Sequence, residues 1–244
     1  MADGLFNASR LYEVLKQYGL LPKHANYSPA GEASGLFSPE LNRMVAPDAA
    51  LVRDPYARDS TMATFAHEMT HAVQNNLLEN TAYQIQKKKQ QGGKLTDQEA
   101  QYLRAAEQLF ARQYGNVGSF NKSKYRADTQ SYKNMVKDMY SSPTGNKDFE
   151  SYRKSVDEAQ AFGVGNMSYP SNLRRSGQNP HFDPSMAQEF DILLSMYQNL
   201  PESLKNSAAI SKQTQIEKNR QTSKDFYLES AKDMFKNPFE PTIK

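Results

Sequence analysis

A helical pattern that opens near Ser60 and is not ended until Gly92-Gly93 constrains the fold of this chain more than any other feature. Ser60 has the chemistry of an N-cap, and the glycine pair has that of a C-terminal stop. At about 100° per residue, Met62, Phe65, Met69 and Val73 fall within one stripe roughly 80° wide. Such a stripe predicts a helix that lays one face on a core. The same stretch contains TFAHEMTHAVQ, Thr64 to Gln74, and its His67 and His71 fall on the opposite side of the wheel. A histidine kept for packing belongs in the stripe, so these two face something else.

Residues i and i+4 of a helix share a face, so His67 and His71 can aim both imidazoles at one ion. Glu68 adjoins that face, within reach of a water held there, and can act as general base and then as acid to a leaving amine. A tetrahedral zinc site needs a third protein ligand, with the fourth position left for water in catalysis. No histidine follows within the next turns, so the compact pattern with a closely following third His is absent. The best source of the ligand is ESYRKSVDEAQAFG, residues 150–163. It reads as an amphipathic helix with Phe149, Tyr152, Val156 and Ala159 as its apolar stripe and with acids at Asp157 and Glu158. Small Ala159 and Ala161 beside the acids let that helix come close to the first.

The rest of the chain is organised around these two helices. Residues 5–18 place Leu5, Leu11, Leu15 and Tyr18 on one side of a short helix, closed by Gly19 and Pro22. Residues 22–60 are rich in Pro, Gly, Ser and Asp, and so read as loop and short strand. Within them GLF-SPELN-RMVAP has the form of a hairpin, and ALVRDP adds an extended piece. Thr96 and Glu99 stand in capping-box spacing at the start of a helix that ends near Gly115. Further helices are expected at about 121–140, 148–162, 185–198 and 203–235. A long irregular loop is expected from Gly163 to Pro184, and the tail NPFEPTIK reads as an extended strap. The fold class is mainly α with a small antiparallel β-sheet (α+β).

Composition narrows the function classes. The apolar fraction is 38% and mean hydropathy is −0.80, which implies a small core with long polar helices, or burial completed against partners. Absence of cysteine excludes disulfides, thiolate ligands and a cysteine nucleophile. A net charge of +3 is too small to argue for nucleic acid, and Lys87–Lys89 and Arg174-Arg175 are scattered; the lysine run reads as a solvated helix face. No stretch approaches the roughly 18 apolar residues of a membrane span, and the N-terminus lacks a signal-peptide pattern. The chain reads as a soluble product of cytoplasmic synthesis, compatible with packaging in a particle or export without a conventional signal.

HEMTHAVQ followed by a helix of the form E-A-x-A-F resembles the zincin metallopeptidases of the gluzincin type, and is similar to bacterial and phage-encoded HExxHxxQ domains with Glu-x-x-Ala in the later helix. The resemblance covers about residues 34–163. It implies Zn²⁺ held by His67, His71 and Glu158, with Asp157 as the alternative third ligand, Glu68 as general base and Ala161 in the Ala position. Residues 34–165 would form the zincin-like domain, preceded by a helix and loop (1–33) and followed by a loop and helical extension (166–244). A small antiparallel sheet would precede the active-site helix, and its edge strand, from the Gly35–Val45 hairpin, would pair with an extended peptide. Gln74, one turn after His71, would orient a ligand from behind. An oxyanion stabiliser is also implied, with His181, Tyr152 and Tyr169 as candidates; His24 has no partner legible in the sequence. The implied activity is zinc-dependent hydrolysis of peptide bonds in a peptide or protein substrate. The alternative is a structural or assembly component, of a phage particle (a virion component) or a secreted machine. It would join a larger protein assembly through its C-terminal helices and tail, its peptidase silent or used once.

Overall fold

The long helical pattern folds as one continuous stretch, but it begins earlier than Ser60. The structure, a computed structural model, describes residues 8–26, 35–46, 55–114, 156–168 and 183–236. In it α1 (Ala8–Gln17) is followed by three short strands, β1 (Lys23–Asn26), β2 (Leu36–Ser38) and β3 (Arg43–Ala46). Helix α2 (Pro55–Val73) passes through a π-helical turn (Gln74–Glu79) into α3 (Asn80–Gln90). Then come α4 (Asp97–Tyr114), α5 (Val156–Met167), α6 (Pro184–Gln198) and α7 (Glu202–Lys236). Proline at the first helical position gives up an N–H that would go unpaired anyway, and its fixed φ suits the helix; this is why α2 starts at Pro55 and leaves Ser60 in the helix interior.

The apolar stripe of α2 holds in part. Met69 and Val73 are fully buried and Phe65 packs against the core, whereas Met62 is 38% exposed. Each fully buried side chain of this kind contributes about 1.5–3 kcal/mol. Ala63, Ala66, Thr70 and Ala72 are buried as well. Helix α2 is therefore enclosed around most of its circumference, and its histidine side lies against α5 rather than along an open cleft. The core runs without a break from Leu15 of α1 through Met44 of β3, Leu78, Tyr102, Phe190 and Tyr197 to Ile216 of α7.

The sheet has the order β1-β3-β2. Strands β2 and β3 form the expected hairpin, with Leu36 opposite Val45, Phe37 opposite Met44 and Ser38 opposite Arg43. Strand β1 joins β3 in parallel, so the sheet is mixed rather than antiparallel. KHAN carries no apolar alternation, and tertiary bonds hold it in place. Lys23 N–H donates to Asn42 O at 3.0 Å, and His24 Nε2 donates to Ala46 O at 3.0 Å with its ring edge-on to Phe65. Asn42 adopts φ 47°, a left-handed conformation that Asn tolerates better than most residues. Its buried amide donates to Leu20 O at 3.1 Å and accepts from Asn76 Nδ2 at 2.7 Å. The hairpin turn is thereby tied to the π-helical turn that follows α2.

Helix α4 carries the expected capping box. Thr96 N–H donates to Glu99 Oε2 at 2.7 Å and Glu99 N–H to Thr96 Oγ1 at 3.2 Å. Lys88 Nζ, from the lysine run, sits 2.8 Å from both Glu99 oxygens. Helices α6 and α7 begin within one residue of their expected starts, α6 with Asp183 Oδ1 capping Ser185 N–H at 2.8 Å. Helix α5 does not stop at Gly163, as the loop expectation required, but continues to Met167. Packing explains this. A Cβ on Gly163 would lie 2.9 Å from Ala187 N, and one on Gly165 2.9 Å from Ala63 O, so these glycines are contact points for α6 and α2. The helix expected at 121–140, the ALVRDP segment up to Asp54, residues 169–182 of the expected loop and the tail NPFEPTIK lie outside the described residues.

Two outcomes follow from this packing. Gly165→Ala is expected to destabilise the protein by about 1–3 kcal/mol in urea unfolding, because the new methyl meets α2 backbone; an unchanged midpoint would mean the two helices separate without cost. Burial alone would raise the Glu99 carboxyl, but its bonds to Lys88 and to Thr96 N–H outweigh that and hold it below its ordinary 4.5. The depressed value means that the ionised form stabilises the fold above that pH. Glu99→Gln should therefore cost about 1 kcal/mol at neutral pH. The difference from wild type should shrink as pH falls below about 4.5, as read by denaturant midpoints across pH.

Candidate metal centre

The centre forms where α5 crosses α2. His67 and His71, one turn apart on α2, turn their rings toward Glu158 of α5. His67 Nε2 and His71 Nε2 are 3.1 Å apart. Glu158 reaches both, Oε2 lying 3.3 Å from His67 Nε2 and Oε1 3.3 Å from His71 Nε2. The three side chains are 12%, 16% and 7% exposed, so the convergence is largely shielded from solvent. Phe162, one turn after Glu158, lays its ring 4.5 Å from that of His67 and closes one side.

Among the described residues, His67, His71 and Glu158 form a group that could hold a metal ion. The spacing fits that use. One ligand atom from each of the three residues lies within 4.8 Å of the others, and the two imidazole nitrogens, 3.1 Å apart, stand near the roughly 3.3–3.4 Å edge expected for ligands about 2.0–2.1 Å from a tetrahedral ion. A second observation agrees: buried Glu158 Oε2 makes no well-formed hydrogen bond beyond its 3.3 Å approach to His67 Nε2, and a cation between the two would satisfy both. Burial would push the Glu158 carboxyl up, but the positive charge of His71 and His67 outweighs it and holds the group well below the usual carboxylate range. It is an anion set between two cationic or cation-binding rings.

Glu68 has the opposite environment. It is 6% exposed, and burial raises its carboxyl above the ordinary value despite the neighbouring histidines and a hydrogen bond from Phe37 N–H. Two carboxylates within one site thus have their proton affinities driven apart, Glu158 toward a permanent anion and Glu68 toward a group that can take up a proton. The Phe37 bond also orients the sheet. In an antiparallel pair, a residue whose N–H points away from its partner strand belongs to the non-hydrogen-bonded positions, so Phe37 presents its main chain on the outer edge of β2, beside Glu68. The backbone before it lies directly on the carboxylate, since a Cβ on Gly35 would come within 2.8 Å of Glu68 Oε1.

Behind His71 lies Gln74, at the first position of the π-helical turn. Gln74 Oε1 faces His71 Nδ1 at 3.0 Å, and its Nε2 donates to Gln160 Oε1 of α5 at 2.9 Å. The π-helical turn rotates the residues after Val73 relative to α2, and turns of this kind recur at functional sites. Gln160 was not singled out from the sequence. It carries no motif of its own, and the one available clue was that a buried Gln74 amide needs a partner at both ends. Asp157 lies in α5 next to Glu158, but its side chain is outside the described residues. Tyr152, Tyr169 and His181 are also outside them, whereas His24 belongs to the β1–β3 ladder.

Elemental analysis of purified protein is expected to find one divalent metal per chain. His67→Ala, His71→Ala and Glu158→Ala should each lower affinity by more than the roughly 10–100-fold that outer partners contribute. Undiminished metal content in all three variants would place the binding elsewhere. No helix among the described residues is long and apolar enough to cross a membrane. Compared with models of known families, with curated proteins and with solved structures, the chain matches none.

Proposed function

We propose that this protein is a zinc-dependent metallopeptidase of the gluzincin type, hydrolysing peptide bonds of protein substrates. The observation that carries the reading is the convergence of His67, His71 and Glu158, with close contacts of 3.1–3.3 Å, and buried Glu68 beside the histidines on the same helix. Two imidazoles and one carboxylate are a donor set suited to zinc in a hydrolytic site. When bound, the ion supplies Lewis acidity that lowers the pKa of water and polarises a carbonyl. The protein's own side chains supply the proton chemistry.

Glu68 takes the proton from the attacking water and returns it to the amine nitrogen as the peptide C–N bond breaks. Its raised carboxyl suits both halves, since a group closer to neutrality accepts and releases a proton with less loss than an ordinary glutamate. Glu158 stays ionised throughout and balances positive charge at the centre. The outer edge of β2 offers the Phe37 carbonyl to an extended peptide, beside the N–H that Glu68 holds, which would place a scissile carbonyl next to Glu68. Burial of the centre strengthens each of these interactions by excluding water.

Glu68→Gln is the discriminating variant. It should retain zinc at wild-type stoichiometry while turnover of an unfolded protein substrate falls by about 10²–10⁴-fold. Wild-type turnover in the variant would end Glu68's role as base. A wild-type protein that holds zinc yet cleaves no protein tested would support the silent, scaffold-type role instead.

A further inference from the structure

We infer that Glu189, on α6, is a positioning residue that fixes the tautomer of His71 through a relay of two glutamine side chains; its effect on metal binding rests on the zinc reading above, whereas its effect on the tautomer does not. Gln160 Nε2 donates to Glu189 Oε2 at 3.4 Å, Gln74 Nε2 donates to Gln160 Oε1 at 2.9 Å, and Gln74 Oε1 meets His71 Nδ1 at 3.0 Å. The relay joins three elements: α6, α5 and the π-helical turn that follows α2. Both glutamines are buried, at 1% and 6% exposure, so their amides have no water to exchange with.

A primary amide can point either way round, and nothing in a pair of glutamines chooses the direction. Glu189 chooses it, because an ionised carboxylate only accepts. The Gln160 amino group must face Glu189, so its carbonyl faces Gln74. The Gln74 amino group is then used on Gln160, and its carbonyl faces His71. A carbonyl accepts, so His71 Nδ1 carries the hydrogen and Nε2 is left with its lone pair. That lone pair points into the space shared with His67 and Glu158.

The opposite arrangement has a clear attraction of its own. Glu158 Oε1, 3.3 Å from His71 Nε2, would favour a hydrogen on that nitrogen and a closed imidazole–carboxylate pair. In that state His71 offers no lone pair to an ion. Reversing both glutamines would permit it, but would set the Gln160 carbonyl against the Glu189 carboxylate. The relay therefore holds the centre in its metal-accepting form against the pull of its own third ligand. Outer partners that orient a ligating histidine in this way typically contribute 10–100-fold in metal affinity.

The test reads the tautomer and the affinity separately. Two-bond ¹H–¹⁵N correlations of the metal-free protein at mildly alkaline pH should show His71 protonated at Nδ1 in wild type. In Glu189→Ala a substantial share should move to the Nε2–H form, and zinc affinity, measured by competition with a chromophoric chelator, should fall about tenfold. Glu189→Gln, whose amide can itself turn either way, should lose the bias as Glu189→Ala does, whereas Glu189→Asp, which still only accepts, should keep part of both. Gln160→Leu cuts the same relay at its centre and carries the same prediction if Glu189→Ala does not fold. A tautomer unchanged in the cut variants overturns the relay, even if their affinity drops through general loss of packing. A tautomer that shifts in a protein with no zinc affinity supports the relay and removes the zinc reading alone.

Discussion

Helix α5 lies against α2 with almost nothing between their backbones at Gly165, whose missing Cβ would meet Ala63 O at 2.9 Å and His67 Cβ at 3.5 Å. Small residues on both sides, Ala63 and Ala66 on one helix and Ala161 and Gly165 on the other, permit that approach. Each other feature of the centre follows from it. Glu158 spans both histidines only because α5 is this close, and Phe162 covers His67 for the same reason. A helix pair held apart by ordinary aliphatic side chains, at the usual 8–10 Å between axes, would leave the carboxylate short of at least one imidazole.

The close approach has a counterpart in how the protein fills its interior. A chain with 38% apolar residues has few large aliphatics to spare, and buried polar groups take up much of the work. Asn76 reaches Asn42 at the hairpin turn, Asn80 donates to Ala208 O on α7, and Tyr102 Oη donates to Leu78 O. Gln74 and Gln160 join α5 to the segment after α2 by the same means. Such bonds contribute modestly when made and cost more when broken, so they specify one arrangement more than they add stability. Among the described residues the core is continuous, with polar ties running through it.

Much of the site was legible in TFAHEMTHAVQ because helical spacing is a local property. His67, His71 and Glu68 are related by one turn of backbone, and no distant contact is needed to predict that they cluster. Glu158 was reachable from a second helical pattern and its flanking small residues. What the helical pattern alone did not carry is how closely the side opposite the apolar stripe is covered. Ala63 and Ala66 allow a second helix to cover that side, and the periodicity of one helix does not contain that information. Gln160 and Glu189 were invisible for a related reason: a hydrogen-bond partner 86 residues away in the chain leaves no periodicity to read.

By itself the sequence determined the mainly helical class, the clustering of His67, Glu68 and His71 on one turn of helix, the β2–β3 hairpin, the α4 capping box and the starts of the last two helices. All of these depend on interactions within a few residues, where backbone geometry sets which side chains can meet. Only the tertiary structure decided that β1 would pair in parallel and that α5 would run on through Gly163 and Gly165. It alone decided which carboxylate stands where the two imidazoles converge. Those outcomes rest on contacts between segments far apart in the chain, whose free energies exist only once the segments are packed together.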